Sequence, residues 1–179
     1  MKKLRVSQTT ARNEIRRRAP WILFAVVAGI VMVLVGHNFE AAFSRNIELA
    51  FFVPVIVYMS DSIGTETLAL FVRELDRKKL KVHLLLLRES AVGITLGLLS
   101  GVPMGLFGYW WFGDARLGMT LFAAMTVNGV VAVLTGMLAP LAFAKLGKDP
   151  ALGTDEITTA LSDNVSMFLY LVVATVVLF

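Results

Sequence analysis

Five stretches rich in apolar residues follow one another along the chain, separated by short polar segments. They run from Trp21 to Val35, from about Leu49 to Val72, from about Leu84 to Trp111, from about Leu117 to Ala144 and from about Ile157 to Phe179. A helix needs about 20 mostly apolar residues to cross the hydrocarbon core of a bilayer. The pattern predicts an all-α membrane protein with five transmembrane helices, in which a basic cytoplasmic tail (1–18) precedes a five-span domain (19–179).

The composition agrees with this pattern and excludes a soluble enzyme. Of the 179 residues, 57% are hydrophobic and only 17% are charged, whereas a soluble domain carries about 25% charged residues. Cysteine is absent and there are only two histidines. The chain therefore lacks a disulfide framework, a thiolate site and a zinc-ligand cluster, and any metal that it handles must be bound by oxygen.

The distribution of basic residues predicts the orientation. Seven Lys and Arg residues lie in the tail, six between Arg73 and Arg88, and two at Lys145 and Lys148, against only Arg45 and Arg116 on the other side. We expect the protein in the cell (inner) membrane. By the positive-inside rule, its N-terminus is cytoplasmic and its C-terminus is at the outer face. The charges flank spans, so membrane lipid is the expected contact and nucleic acid is not.

Ionisable residues inside the spans require a specific explanation. Asp61, Glu66 and Asp163 fall within apolar stretches, where a carboxylate costs about 2.5–3.5 kcal/mol at the bilayer centre. Such residues mark an ion pathway, a relay or a paired structural contact. Glu89 lies near a span end beside Arg88, and we expect a structural ion pair there.

Polar positions in the second and fifth stretches indicate a binding face. The run of polar residues from 60 to 67, which follows Pro54, predicts that the second helix is broken or locally unwound near mid-membrane. In the fifth stretch, oxygen-bearing side chains recur on one helix face: Asp155, Thr159, Asp163, Ser166 and Tyr170. Carboxylates and hydroxyls without sulfur or imidazole suit a hard cation, and Mg²⁺ suits a sparse site because it retains its waters.

Glycines recur every four residues in the third stretch, at Gly93, Gly97, Gly101 and Gly105. This spacing forms a smooth stripe along one side of a helix, and small residues allow two membrane helices to pack closely. We expect the stripe to be structural.

Several segments together resemble the membrane domain of the MgtE family of magnesium channels and transporters. The second stretch is similar to the family's Pro-containing segment at Phe52–Ile56, its Gly-Asn-x-Gly-x-Gln motif at 61–66 and its closing arginine at Arg73. The run Gly147-Lys148-Asp149-Pro150-Ala151, followed by Ser162-Asp163, is similar to the family's Gly-x-Asp-Pro-Ala entry into the last helix.

The resemblance implies a homodimer in which the second and fifth spans of two protomers line a central pore. It implies that Asp163 recognises hydrated Mg²⁺, with Asp155 and Thr159 near the ion and Asp61 and Glu66 as further metal-site candidates. Residues expected to line the pore are Ser62, Gly64, Thr65, Ser166 and Tyr170.

The chain departs from the family pattern in two respects. Asp61, Ser62 and Glu66 stand where the family has glycine, asparagine and glutamine, so the site is more acidic, and Mn²⁺ or Co²⁺ are further candidate ions. About 18 residues precede the first span, where the family usually carries cytoplasmic sensing domains, and feedback gating by such domains is not expected.

Two other functions remain open at this point. A proton- or sodium-coupled divalent cation exchanger would use protonation of Asp61 and Glu66 during transport. An intramembrane aspartyl hydrolase would pair Asp61 with Asp163 across a shared proton, although no further catalytic group accompanies the two acids.

Overall fold

The chain folds as a bundle of helices in the computed structural model, which describes residues 11–75, 82–147 and 154–179. The helices are α1 (Ala11–Asn38), α2 (Glu40–Arg45), α3 (Glu48–Leu75), α4 (Val82–Phe112), α5 (Ala115–Lys145) and α6 (Thr154–Leu178). All except α2 are long and apolar enough to cross a membrane, and the described residues contain no strand. The all-helical, five-span prediction is confirmed. The short helix α2 was not predicted.

Three predicted features fall partly outside the described residues. These are the first ten residues of the basic tail, residues 76–81 of the second basic segment, and residues 148–153, which carry most of the Asp-Pro motif. Helix α1 already includes residues 11–18, so helical structure extends across the predicted boundary between tail and membrane domain.

Helix α5 is the centre of the bundle. It packs against α3, α4 and α6, whereas α1 contacts only α6 and α2 within the described part of the chain. Leu121, Ala124 and Ala132 on α5 are fully buried. The bundle therefore has a closely packed core around α5 and a peripheral helix, α1, attached through α6.

The glycine stripe of α4 lies directly against α5. A Cβ added at Gly97 would lie 2.6 Å from the carbonyl oxygen of Thr126, and one at Gly93 would lie 2.8 Å from that of Gly129. Real side chains do not approach backbone this closely, so the two helices are in backbone contact. The connection between α4 and α5 is short: Gly113 has a φ of +70°, and Asp114 caps α5. Helix α5 therefore runs antiparallel to α4.

Helix α3 is continuous through its polar segment, so the predicted break in this helix is wrong. Three hydroxyl groups of this segment are accommodated without unwinding because each donates to a carbonyl one turn earlier. Ser62 donates to Tyr58 at 2.8 Å, Thr65 to Asp61 at 2.9 Å and Thr67 to Ile63 at 2.8 Å. Ser and Thr side chains commonly satisfy themselves in this way within helices.

Helices α3 and α4 meet at an ionic cluster at one end of the bundle. Arg88 donates to Glu74 of α3 at 3.1 Å and to its neighbour Glu89 at 2.8 Å. The ion pair expected at Glu89 is formed, and it also connects two helices that otherwise make little contact.

We predict that Gly97→Ala destabilises the protein, because the new methyl group forces α4 away from α5. Overpacking of this kind costs about 1–3 kcal/mol, measured as a lower free energy of unfolding in detergent micelles. Gly29→Ala in α1 is the matched control, since no atom lies within 4 Å of its added Cβ. Equal stability of the two variants would contradict the backbone contact.

Candidate functional site

The site is built on a polar seam between two antiparallel helices, α3 and α6. Hydroxyl residues recur every fourth position on the buried face of α6: Thr154, Thr158, Ser162 and Ser166. Ser60 of α3 and Ser162 of α6 are hydrogen bonded through their hydroxyl oxygens at 3.1 Å. Hydrogen bonds between side chains stabilise helix pairs in membranes, where polar groups have no water to bind.

Carboxylates lie along the outer edge of this seam, which we call the acidic rim and define as Asp61, Asp155 and Asp163. Thr159 of α6 donates its hydroxyl to Asp61 Oδ1 at 2.8 Å and so fixes the α3 carboxylate against α6. Thr159 is four residues from both Asp155 and Asp163 on α6, so the Asp61 carboxylate lies between the levels of these two acids. Two helices thus place carboxylates along the same edge of the bundle.

Asp163 has an oxygen without a partner. Its Oδ1 atom is buried and makes no hydrogen bond. A buried polar atom that lacks a partner costs about 1–3 kcal/mol, and more when it is charged. The arrangement therefore favours binding of a donor or a cation at this oxygen.

A groove of about 390 Å³ adjoins Asp163 between α6 and α1. Asp155, Thr159 and Asp163 line its α6 side, together with Glu156 and Asn164, and small residues of α1 such as Ala28 and Gly29 line the other side. Its volume is sufficient for several waters. A cation in the groove would therefore be able to retain part of its hydration shell.

The acids do not form a preassembled chelating site. Among the residues that the structure describes, no group of three Asp, Glu or His side chains is arranged to hold a metal ion directly. An ion bound within one chain would therefore keep most of its waters, or would also be contacted by groups from a second molecule.

Three residues expected to line a pore are buried within the chain. Tyr170 is fully buried and donates its hydroxyl to the Leu49 carbonyl at 3.0 Å. Ser166 is also fully buried, and its carbonyl accepts a hydrogen bond from Asn128 at 3.2 Å. Gly64 packs between α5 and α6. The oxygen-bearing side chains predicted to share one face of α6 therefore have different surroundings, because Ser166 and Tyr170 are buried against α5 and α3.

The remaining predicted residues occupy different surroundings. Ser62 and Thr65 are half-buried, and their hydroxyls bond to their own helix. Of the two acids in the polar segment of α3, Asp61 accepts a hydrogen bond from Thr159 of α6, whereas Glu66 is exposed. Pro54 is exposed within the uninterrupted helix α3.

Sequence reasoning missed the role of two asparagines. Asn128 of α5 bonds to the backbone of α6, and Asn164 of α6 donates to the carbonyl of Ala28 in α1 at 3.2 Å. Asn128 stands in a mostly apolar stretch, and Asn164 directly follows Asp163 within the last span. A polar amide at such a position was the available signal, since it has to find a partner in a neighbouring helix.

Fold and site together define a class: a multi-helix membrane protein that holds carboxylates, one of them with an unpaired oxygen, on two of its long apolar helices. Comparison with known proteins gives this class a family. The family model for MgtE, described as a divalent cation transporter, matches residues 53–173. The chain belongs to the MgtE family.

Individual relatives agree with this assignment. The chain is similar to the magnesium transporter MgtE of Enterococcus faecalis, with 31% identity over 162 residues, and to that of Bacillus subtilis, with 28% identity over 162 residues. It is also 29% identical to the magnesium transporter MgtE of Thermus thermophilus over 165 residues. These matches cover 89–90% of this chain but only 36% of each relative. The chain thus spans little more than a third of the length of these relatives.

We predict that Tyr170→Phe lowers stability, because it removes the hydrogen bond to Leu49 in the core. A hydrogen bond between membrane helices contributes about 0.6 kcal/mol on average and up to about 1.7 kcal/mol. Tyr58→Phe is the matched control because Tyr58 is 69% exposed. Unfolding in detergent measures both variants, and an unchanged Tyr170→Phe stability would contradict the structural role.

Proposed function

We propose that this chain transports divalent cations across the membrane, Mg²⁺ above all, along a path that passes the acidic rim at Asp163. The observation that carries the proposal is the buried, unpaired Oδ1 of Asp163 in a membrane helix. A carboxylate in such a position is expensive unless a cation uses it. The names of the relatives, which are magnesium transporters, support the choice of ion.

The chemistry of the site supports a hydrated hard cation. The rim offers carboxylate and hydroxyl oxygens, which Mg²⁺ prefers, and Mg²⁺ is usually held by one or two carboxylates while it keeps several waters. The separate placement of the acids fits that mode better than direct chelation. Asp61 and Asp155 add charge to Asp163, so Mn²⁺ and Co²⁺ are proposed as further substrates.

A homodimer is the proposed working unit. The acidic rim is open on one side, because Asp155 is exposed and Asp163 is only half-buried. Two copies related by a twofold axis would bring two rims face to face. Their carboxylates would repel, and a divalent cation between them would relieve that repulsion. The pore would then lie between copies of α3 and α6.

The membrane potential supplies the driving force in this proposal. We place the N-terminus of α1 and both basic connections in the cytoplasm, following the positive-inside rule. An inside-negative potential of about 100 mV favours entry of a divalent ion by about 4.6 kcal/mol, twice the value for one charge. Mg²⁺ influx along this gradient needs no coupled reaction.

We predict that Asp163→Asn abolishes Mg²⁺ uptake into proteoliposomes under an imposed inside-negative potential. The substitution keeps the size of the side chain and removes the charge that attracts the ion. Asp114→Asn is the matched control, because Asp114 caps α5 away from the rim and asparagine caps helices equally well. It should transport at the rate of the unmodified protein.

Two results would contradict this proposal. Uptake by Asp163→Asn at the unmodified rate would remove Asp163 from the path. Failure of the folded, unmodified protein to take up Mg²⁺ at any potential would contradict potential-driven transport. If uptake then appeared only with a proton or sodium gradient, the protein would be a coupled exchanger.

We predict a milder effect for Asp61→Asn. The amide oxygen still accepts from Thr159, but the charge that adds to the rim is lost. Loss of a group that supports a metal ligand typically weakens affinity about 10–100-fold, so the Mg²⁺ concentration for half-maximal uptake should rise while the maximal rate persists. Glu40→Gln, an exposed acid of α2, is the control. An unchanged half-maximal concentration for Asp61→Asn would exclude Asp61 from the site.

A further inference from the structure

Asn164 combines two features that no other part of the proposed function uses. Its Nδ2 group donates to the Ala160 carbonyl of its own helix at 2.8 Å and to the Ala28 carbonyl of α1 at 3.2 Å. Its Oδ1 atom is buried and has no hydrogen-bond partner. Since both hydrogen bonds from Nδ2 fix the orientation of the amide, its oxygen is held in one position.

Asn164 lines the same groove as Asp163. The two residues are neighbours on α6, both line the α1–α6 groove, and both have a buried oxygen that accepts no hydrogen bond. Both oxygens therefore lack a donor beside a groove of about 390 Å³. A hydrated cation that entered the groove would bring such donors, since its bound waters are strong donors.

Helix α1 forms the second wall of this groove with residues that leave space. Ala25, Ala28 and Gly29 line it together with the larger Met32, and a Cβ added at Gly29 would meet no atom within 4 Å. The opposite side of α1 presents large apolar side chains, such as Val27, which is 59% exposed. Small residues of α1 therefore face the polar part of α6.

We propose that Asn164 is a further ion-binding residue, and that the α1–α6 groove of each protomer holds a hydrated Mg²⁺ beside Asp163 before it reaches the position between the two rims. The Oδ1 atom accepts from a water of the ion, and the Nδ2 group holds α1 in place as the wall of the site. This inference rests on the proposed transport function. It adds a residue and a helix to a path otherwise attributed to α3 and α6.

Two substitutions at position 164, compared by the Mg²⁺ concentration that gives half-maximal uptake, separate an ion-binding role from simple packing. Asn164→Asp keeps an oxygen for the ion but loses the Nδ2 donor to α1, whereas Asn164→Leu removes both the oxygen and the donor and suits an apolar contact. We expect half-maximal Mg²⁺ uptake in proteoliposomes to need about tenfold more Mg²⁺ for Asn164→Leu, as for loss of a supporting ligand, and a smaller increase for Asn164→Asp. If Asn164→Leu matches the unmodified protein, or transports better than Asn164→Asp, the inference is overturned.

Asn128→Leu is the control for the loss of a helix-to-helix hydrogen bond. Asn128 also donates to the backbone of a neighbouring helix at 3.2 Å and also has a buried, unpaired Oδ1, but it does not line the groove. Its substitution should lower stability without raising the Mg²⁺ requirement of the folded protein. An equal rise in both leucine variants would attribute the effect to packing and overturn the inference.

Cysteine labelling tests the position of α1 without relying on transport. The chain has no cysteine, so Gly29→Cys introduces a single thiol on the groove side and Val27→Cys, two residues earlier, a single thiol on the opposite side of the helix. A charged, water-soluble thiol reagent should modify Gly29→Cys, and Mg²⁺ should slow that reaction, whereas Val27→Cys should stay unreactive. Labelling of Gly29→Cys that is absent, or that Mg²⁺ does not change, would contradict an ion in the groove.

The two experiments distinguish this inference from the transport proposal. If the unmodified protein transports Mg²⁺ and Asp163→Asn does not, the transport proposal stands. Normal uptake by Asn164→Leu with unprotected Gly29→Cys would then overturn only the role of Asn164 and α1.

Discussion

The energetic cost of a carboxylate inside an apolar bundle is the constraint on which this structure depends. Asp61 meets that cost through the hydroxyl of Thr159 at 2.8 Å, whereas Asp163 keeps a buried oxygen without a partner. A chain that needed only to fold would replace such an oxygen with a methyl group, because unpaired buried acceptors are destabilising. The bonded Asp61 therefore helps to fix the seam between α3 and α6, whereas the unpaired oxygen of Asp163 is available to bind a cation.

The rest of the bundle holds that seam in place. Backbone contact between α4 and α5 at the glycine stripe, together with the buried side chains of α5, forms a closely packed frame against which α3 and α6 rest. The buried hydroxyls at 158, 162 and 166 then face α3 and α5, and this orientation turns Asp155 and Asp163 toward the open side. Helix α1 lies outside this frame and packs mainly against α6. This peripheral position agrees with its proposed role as one wall of the groove.

Much of the fold could be predicted from sequence, because length, hydropathy and glycine spacing act locally along each helix. The five spans and the acids within them were found in this way. The surroundings of each α6 residue could not be predicted in this way. Ser166 and Tyr170 share a face with Asp163 on an ideal helix. Their burial, however, depends on contacts with Asn128 and Leu49 of other helices. The continuity of α3 was missed for a local reason: its hydroxyls bond to their own backbone.

The binding of a cation at Asp163 is tested most directly by locating a bound ion. Mn²⁺ has oxygen chemistry close to that of Mg²⁺ and scatters X-rays anomalously, so crystals of the protein grown with Mn²⁺ would show the ion as an anomalous peak. The account predicts a peak beside Asp163, on the side of α6 that carries Asp155 and Thr159. A peak elsewhere in the membrane region with none at Asp163, or no peak at saturating Mn²⁺, would contradict it.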